Sequence, residues 1–147
     1  MDENTYRNRT NTFNKVIVRL HRVGIAFGPM QLLTVKGRRT GRVLTFPIAV
    51  NKLHSGRYIF QAFPKAAWVA NARAADTVTL TRGRRASTAR LTEVPVDQRG
   101  SLLRELVTGS PASVGKRFVT TGLAEEATPD GVAAAAPRIA VFRVDPA

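Results

Sequence analysis

Residues 31–62, QLLTVKGRRTGRVLTFPIAVNKLHSGRYIFQA, carry the pattern that decides the fold. Three β-like runs lie in it, at 31–36, 43–51 and 57–62. In the second, Leu44, Phe46, Ile48 and Val50 alternate with Thr45, Pro47 and Ala49, giving one apolar face per strand. Pro47 has no N–H to donate, so this strand belongs at a sheet edge or carries a bulge there. Gly37-Arg38-Arg39-Thr40-Gly41-Arg42 joins the first two runs, and His54-Ser55-Gly56 is a turn before the third.

Downstream, Pro64 breaks the strand pattern and residues 66–74 read as a short helix with Trp68, Val69 and Ala72 on one side. Residues 77–82 and 84–93 alternate around Gly83 and predict a β-hairpin. Residues 97–107 predict a helix that turns Leu102, Leu103 and Leu106 inward. The stretch 108–131 is rich in Gly, Ser, Thr and Pro and reads as a loop or lid with short helical turns. Thr128-Pro129 has the form of an N-cap followed by proline at the first helical position, and 138–144 forms a closing strand. Upstream, Phe13, Val16, Ile17, Leu20 and Val23 predict an N-terminal helix over 11–23 within a helical extension, 1–29, ended by Gly28-Pro29. About six hairpin-connected strands with helices at the start and between them indicate a mainly β, α+β chain. Such a chain is expected to form a small antiparallel barrel, because the strand–helix alternation of a doubly wound sheet is missing. The 147 residues suit one domain.

Composition removes several functions. The absence of cysteine excludes a disulfide scaffold and a thiolate nucleophile, and two histidines leave little room for a zinc site or a Ser-His-Asp triad. No apolar run approaches the roughly 20 residues that span a bilayer. The N-terminus lacks a secretion-signal pattern, so a cytoplasmic protein is expected. Charge is the positive indication. Between Asn4 and Ala75 there are 13 Lys and Arg and no acid, within a chain of net charge +13. Such a field attracts an anion: a phosphorylated cofactor, nucleic acid or an anionic membrane surface. Residues 36–42 place four cations in seven residues with two glycines. Glycine lets an anion approach peptide N–H groups, Arg38 and Arg39 offer forked donors, and Thr40 adds a hydroxyl. No helix follows and no GxxxxGK[ST] is present, so this is not a Walker loop. Trp68, with Lys65 and Asn71 near it, suggests a flat, polar-rimmed pocket further on.

LLTVKGRRTGRVLTFPIAV followed by RYIFQAFPKAAWVANARAADTVTLTRGRR resembles the deazaflavin (F420)-dependent nitroreductase family of actinobacteria, whose hallmark joins a GR[RK][ST]G turn to a W-x-x-N helix. The resemblance implies a split β-barrel of the FMN-binding type that holds coenzyme F420, with 31–93 as its cofactor-binding core. Its basic turn implies that Arg38, Arg39 and Thr40 hold the cofactor's phosphate or tail. It implies further that Pro47 lies beside the deazaflavin ring, that Ala62, Phe63 and Lys65 line the ring and ribityl chain, and that Trp68 and Asn71 of the helix also bind the cofactor. Leu44 stands where the family carries arginine, and the loop before Trp68 is short and lacks the family's glycines; FMN is therefore the alternative cofactor, and a chain without cofactor the other alternative. The implied activity is hydride transfer between the cofactor and a small nitroaromatic, quinone or enone-like substrate, with the 108–131 loop and N-terminal helix as walls. No catalytic residue is assigned, Tyr58, Tyr6 and His54 being candidate proton donors only.

Two rival readings stand beside that one. The first is a nucleic-acid-binding barrel using Arg38, Arg39, Arg42, Arg82, Arg84 and Arg85. It is disfavoured because neither Arg-rich turn contains an aromatic on which bases stack. The second is a lipid, quinone or flavin carrier of the same barrel fold, with peripheral membrane contact through Phe13, Ile17, Leu20, Arg19 and Arg22. Monomer and homodimer both remain open.

Overall fold

The structure is a computed structural model that describes residues 30–147; the expected N-terminal helix at 11–23 and Tyr6 lie outside them. Among the described residues seven strands form one wholly antiparallel sheet: β1 (Met30–Lys36), β2 (Val43–Ala49), β3 (Asn51–Leu53), β4 (Gly56–Phe60), β5 (Val78–Arg82), β6 (Arg85–Glu93) and β7 (Val141–Pro146), in the order β2-β1-β5-β6-β7-β4-β3. The two sheet edges, β2 and β3, are consecutive in sequence and separated by Val50 alone. A sheet whose opposite edges are joined by one residue must curl on itself, and the result is a half-barrel. The run expected as a single strand at 43–51 is thus two strands, which makes seven rather than six. Pro47 sits on edge strand β2, opposite Leu32 of β1, where its missing donor costs no ladder bond. Gly83 has φ +61 at the first position of the two-residue turn between Arg82 and Arg85, the conformation a tight hairpin asks of glycine.

Helix α1 (Ala67–Ala74) follows β4; α2 (Val96–Thr108), α3 (Ala112–Thr120) and α4 (Pro129–Ala134) lie between β6 and β7. Two apolar clusters result. One fills the concave side, where Leu33, Val35, Ile59, Leu80, Phe142 and Val144 meet Trp68, Val69 and Ala72 of α1. The other lies where Tyr58, Phe60 and Val141 meet Leu103, Leu106, Phe118 and Val132. β4 and β7 are covered on both faces, which is why RYIF and IAVF read as nearly continuous apolar runs.

The 108–131 stretch, expected as a loop or lid with short helical turns, holds a regular helix between its turns. Nine of its residues form α3, which buries Phe118 and brings Gly115 against the Ala127 carbonyl. Gly122 (φ +86) ends that helix: Leu123 N–H donates to Phe118 O at 2.9 Å and Gly122 N–H to Val119 O at 3.0 Å, the paired bonds of a glycine-terminated helix. Thr128 caps α4 as expected, its hydroxyl oxygen accepting from Gly131 N–H at 3.0 Å with Pro129 at the first helical position. No described helix is long and apolar enough to cross a membrane.

Candidate functional site

Strand direction decides which loops share an end of the sheet. β1 and β4 both run toward the same end, because each is linked to β6 or β7 through antiparallel pairings. The β1–β2 turn, the loop after β4 and the start of α1 therefore gather there. Thr34 pairs with Thr79 and Leu32 with Thr81, so the turn at 83–84 lies at the opposite end. The two Arg-rich turns are about a strand length apart, roughly 17 Å, and make no continuous track for a nucleic-acid backbone.

Within the β1–β2 turn, Gly37 N–H donates to Arg42 O at 2.7 Å and Gly41 N–H to Gly37 O at 2.9 Å. Gly41 supplies the left-handed residue the bend needs, with φ +73. Thr40 Oγ1 accepts from Arg42 N–H at 3.2 Å, so the hydroxyl shapes the turn. Arg38 is tied to α1. Both its backbone N–H (3.2 Å) and its Nη1 (2.9 Å) donate to Oδ1 of Asn71, a residue only 2% exposed among the apolar groups of α1. A buried amide needs partners, and the turn provides them across 33 residues of sequence.

On the other side of α1's start, Gln61 fixes the loop after β4. Its Nε2 donates to Phe63 O at 2.8 Å, and its Oε1 accepts from Ala140 N–H at 2.9 Å. Lys65 then turns the chain into the helix with φ +54, unusual for a residue with a side chain. No side chain caps α1 and its first turn holds no acid, so the partial positive charge of the helix start stands uncancelled beside Lys65.

A groove of about 350 Å3 lies between these parts, lined by Arg38, Gln61, Lys65, Val69, Arg73 and the small residues Ala66, Ala67 and Ala70. No carboxylate of the described residues lines it. Arg73 is nevertheless committed elsewhere: its Nε and Nη2 fork onto the two Glu93 oxygens at 2.9 and 2.6 Å. That forked hydrogen bond holds the Glu93 carboxyl below its ordinary value and raises Arg73 further. Glu93 also accepts from Nη2 of buried Arg99 at 3.1 Å. Arg99 completes its guanidinium on the carbonyls of Val94, Ala136 and Ile139.

Of the residues expected from the sequence, the structure brings Arg38 and Lys65 into one groove, with Asn71 behind Arg38. Arg39 is exposed on the same turn but does not line the groove. Ala62 and Phe63 are half-buried on the approach to Lys65, and Pro47 stands on β2, away from the lining. Trp68 lies in the core at 8% exposure, its ring 5.6 Å from that of Phe142, and offers no face to the groove. Tyr58 points to the other side of the sheet, bonded to Ser55 Oγ at 2.7 Å, in a separate cleft of about 490 Å3 beside Glu93 and Arg143. His54 is exposed in its turn, where its backbone N–H donates to Glu105. Sequence reasoning missed Gln61, Arg73, Glu93 and Arg99; the one signal was a glutamine closing an otherwise apolar strand. Among the described residues, no group of His, Asp and Glu forms a metal site.

No protein-family model matches the chain, and no curated protein matches it. Solved structures do. A protein described as a domain-swapped dimer superposes with TM-score 0.55 at 18% identity, covering 96% of this chain and 98% of its own. An F420-H2 dependent reductase, FDR-A, gives 0.54 at 17%, covering 82% and 97%. HutZ, the heme storage protein from Vibrio cholerae, gives 0.51 at 13%, covering 90% and 89%. At such identities the shared property is the fold, a split-barrel-like half-barrel, and that fold serves a reductase and a heme store alike.

Proposed function

We propose that this chain binds a flavin-type cofactor, F420 by preference and FMN as the alternative, and acts as an F420H2-dependent oxidoreductase on a small nitroaromatic, quinone or enone-like acceptor. The observation that carries the reading is the groove. Arg38 of the β1–β2 turn meets there Lys65 and the uncapped helix start into which Lys65 leads, two segments distant in sequence, and no acid of the described residues lines it. This donor set suits the phosphate end of a cofactor, and about 350 Å3 lies at the small end of ligand pockets, fitting part of such a molecule.

Reduced deazaflavin supplies a hydride when bound. The chain's residues bind and orient it: Arg38 and Lys65 hold the anionic end, the Ala66, Ala67 and Ala70 methyls let it approach the helix, and Ala62 and Phe63 flank the route from β4. Among the described residues no imidazole, phenol or carboxyl lines the groove, and we assign the proton to solvent. Self-association as a homodimer belongs to the same proposal and is supported by the domain-swapped neighbour.

Titration of F420 by fluorescence against the wild type, Arg38→Ala and Arg39→Ala tests this. Arg38→Ala is expected to weaken binding about tenfold or more and to flatten its salt dependence, with a smaller effect at Arg39. Equal effects at both positions, or none, would remove the groove from the site. Tight heme binding with no F420 binding would favour the carrier reading.

A further inference from the structure

The groove has three cations in its lining, yet they are not equivalent, and the difference lies in what holds each. Arg38 is held by an amide and Arg73 by a carboxylate. Asn71 Oδ1 takes both a backbone and a guanidinium N–H of Arg38 and is neutral, so the guanidinium is fixed in direction while its charge stays whole. No carboxylate among the described residues pairs with it. Arg73, by contrast, meets Glu93 in a fork that occupies its Nε and Nη2 and sets a carboxylate against its charge.

Resting on the anion-binding reading above, we propose that Asn71 is a positioning residue that presents Arg38 to the ligand's anionic group with its charge intact, while Glu93 withholds Arg73 from that role. Asn71 touches no ligand, for it is buried behind Arg38. Its carbonyl oxygen sets where the turn docks, and its lack of charge sets how strongly the turn attracts an anion. A carboxylate of the same shape would keep both bonds and abolish the attraction. Glu93 does not lose its other partner if Arg73 is drawn away, because Arg99 still donates to it. The groove's charge is thereby tuned by two side chains outside its lining.

The test uses the full chain, F420 and the same deazaflavin lacking its phosphate-bearing tail as probes, and two variants. Asn71→Asp is isosteric: it is expected to lower F420 affinity about tenfold, flatten the salt dependence, and leave binding of the tail-less deazaflavin unchanged. A merely structural role for Asn71 would change both probes together or neither, and either result overturns the proposal. Glu93→Gln keeps the side chain's shape and needs no new buried charge, so it carries the test if Asn71→Asp does not fold. It releases Arg73 and is expected to tighten F420 about threefold, again without effect on the tail-less probe. Unchanged or weakened F420 binding in Glu93→Gln refutes the withholding role. If the wild type binds neither probe, the cofactor reading falls and this inference with it. If the wild type binds F420 and Asn71→Asp binds it equally well, only the inference fails.

Discussion

Replacing Glu93 by Gln removes one charge from a junction that joins β6, α1 and α2. In the native chain the carboxylate takes a fork from Arg73, whose side chain is 52% exposed, and a single bond from Arg99, whose side chain is 8% exposed. The exposed half contributes about 0–1 kcal/mol after solvent screening. Stripping the partner from a buried charge costs about 3–5 kcal/mol in full. Here the loss is smaller, because Arg99 retains three carbonyl acceptors and the Gln amide oxygen still accepts one bond. About 2 kcal/mol is therefore expected, a fall in Tm of roughly 6 °C for a domain of this size. The pH dependence has a definite sign. The Arg73 hydrogen bond lowers the Glu93 pKa in the folded chain below its ordinary 4.5, so the stabilisation is fully present above 4.5 and fades as pH falls through the folded value. Gln does not titrate, and the gap between wild type and variant closes on acidification. Urea denaturation of both proteins at about pH 7 and about pH 3.5 measures it. A gap that is the same at both values would show that Glu93 acts through shape and not charge.

Other outcomes follow from packing and backbone geometry, each read by urea denaturation. Leu33→Ala at a fully buried site of the concave cluster is expected to cost about 3 kcal/mol. Gly115→Ala drives a methyl into the Ala127 carbonyl where α3 meets the following segment, and a loss of about 2 kcal/mol is expected because backbone cannot step aside. Thr128→Ala removes the acceptor for Gly131 N–H and is expected to cost about 1 kcal/mol.

Much of the sheet could be read from the sequence because its signals are local. Alternation around Pro47, the glycine at 83 and the turn at 54–56 each fix a short pairing whose register depends on neighbours in sequence. The division at Val50 could not be read that way: both halves share one alternating pattern, and only curling of the whole sheet sends them to opposite edges. Helix α3 was hidden by composition. Ser, Thr and Gly between 108 and 131 suggested a loop, whereas Pro111 and Gly122 are its punctuation, one before its first turn and one closing it. In the site, the cations of the basic turn were visible as charge. Which of them faces a groove was not, since that depends on Asn71 reaching across 33 positions and on Glu93 claiming Arg73. Trp68 illustrates the same limit: its neighbours Lys65 and Asn71 suggested a flat pocket, and only the fold shows its ring in the core against Phe142.

The most direct measurement of the central claim is a crystal structure of this chain with F420 bound. The account predicts the cofactor's phosphate within hydrogen-bonding distance of Arg38 and Lys65 at the start of α1. A tail lodged instead in the cleft beside Tyr58 and Arg143, on the other side of the sheet, would contradict it.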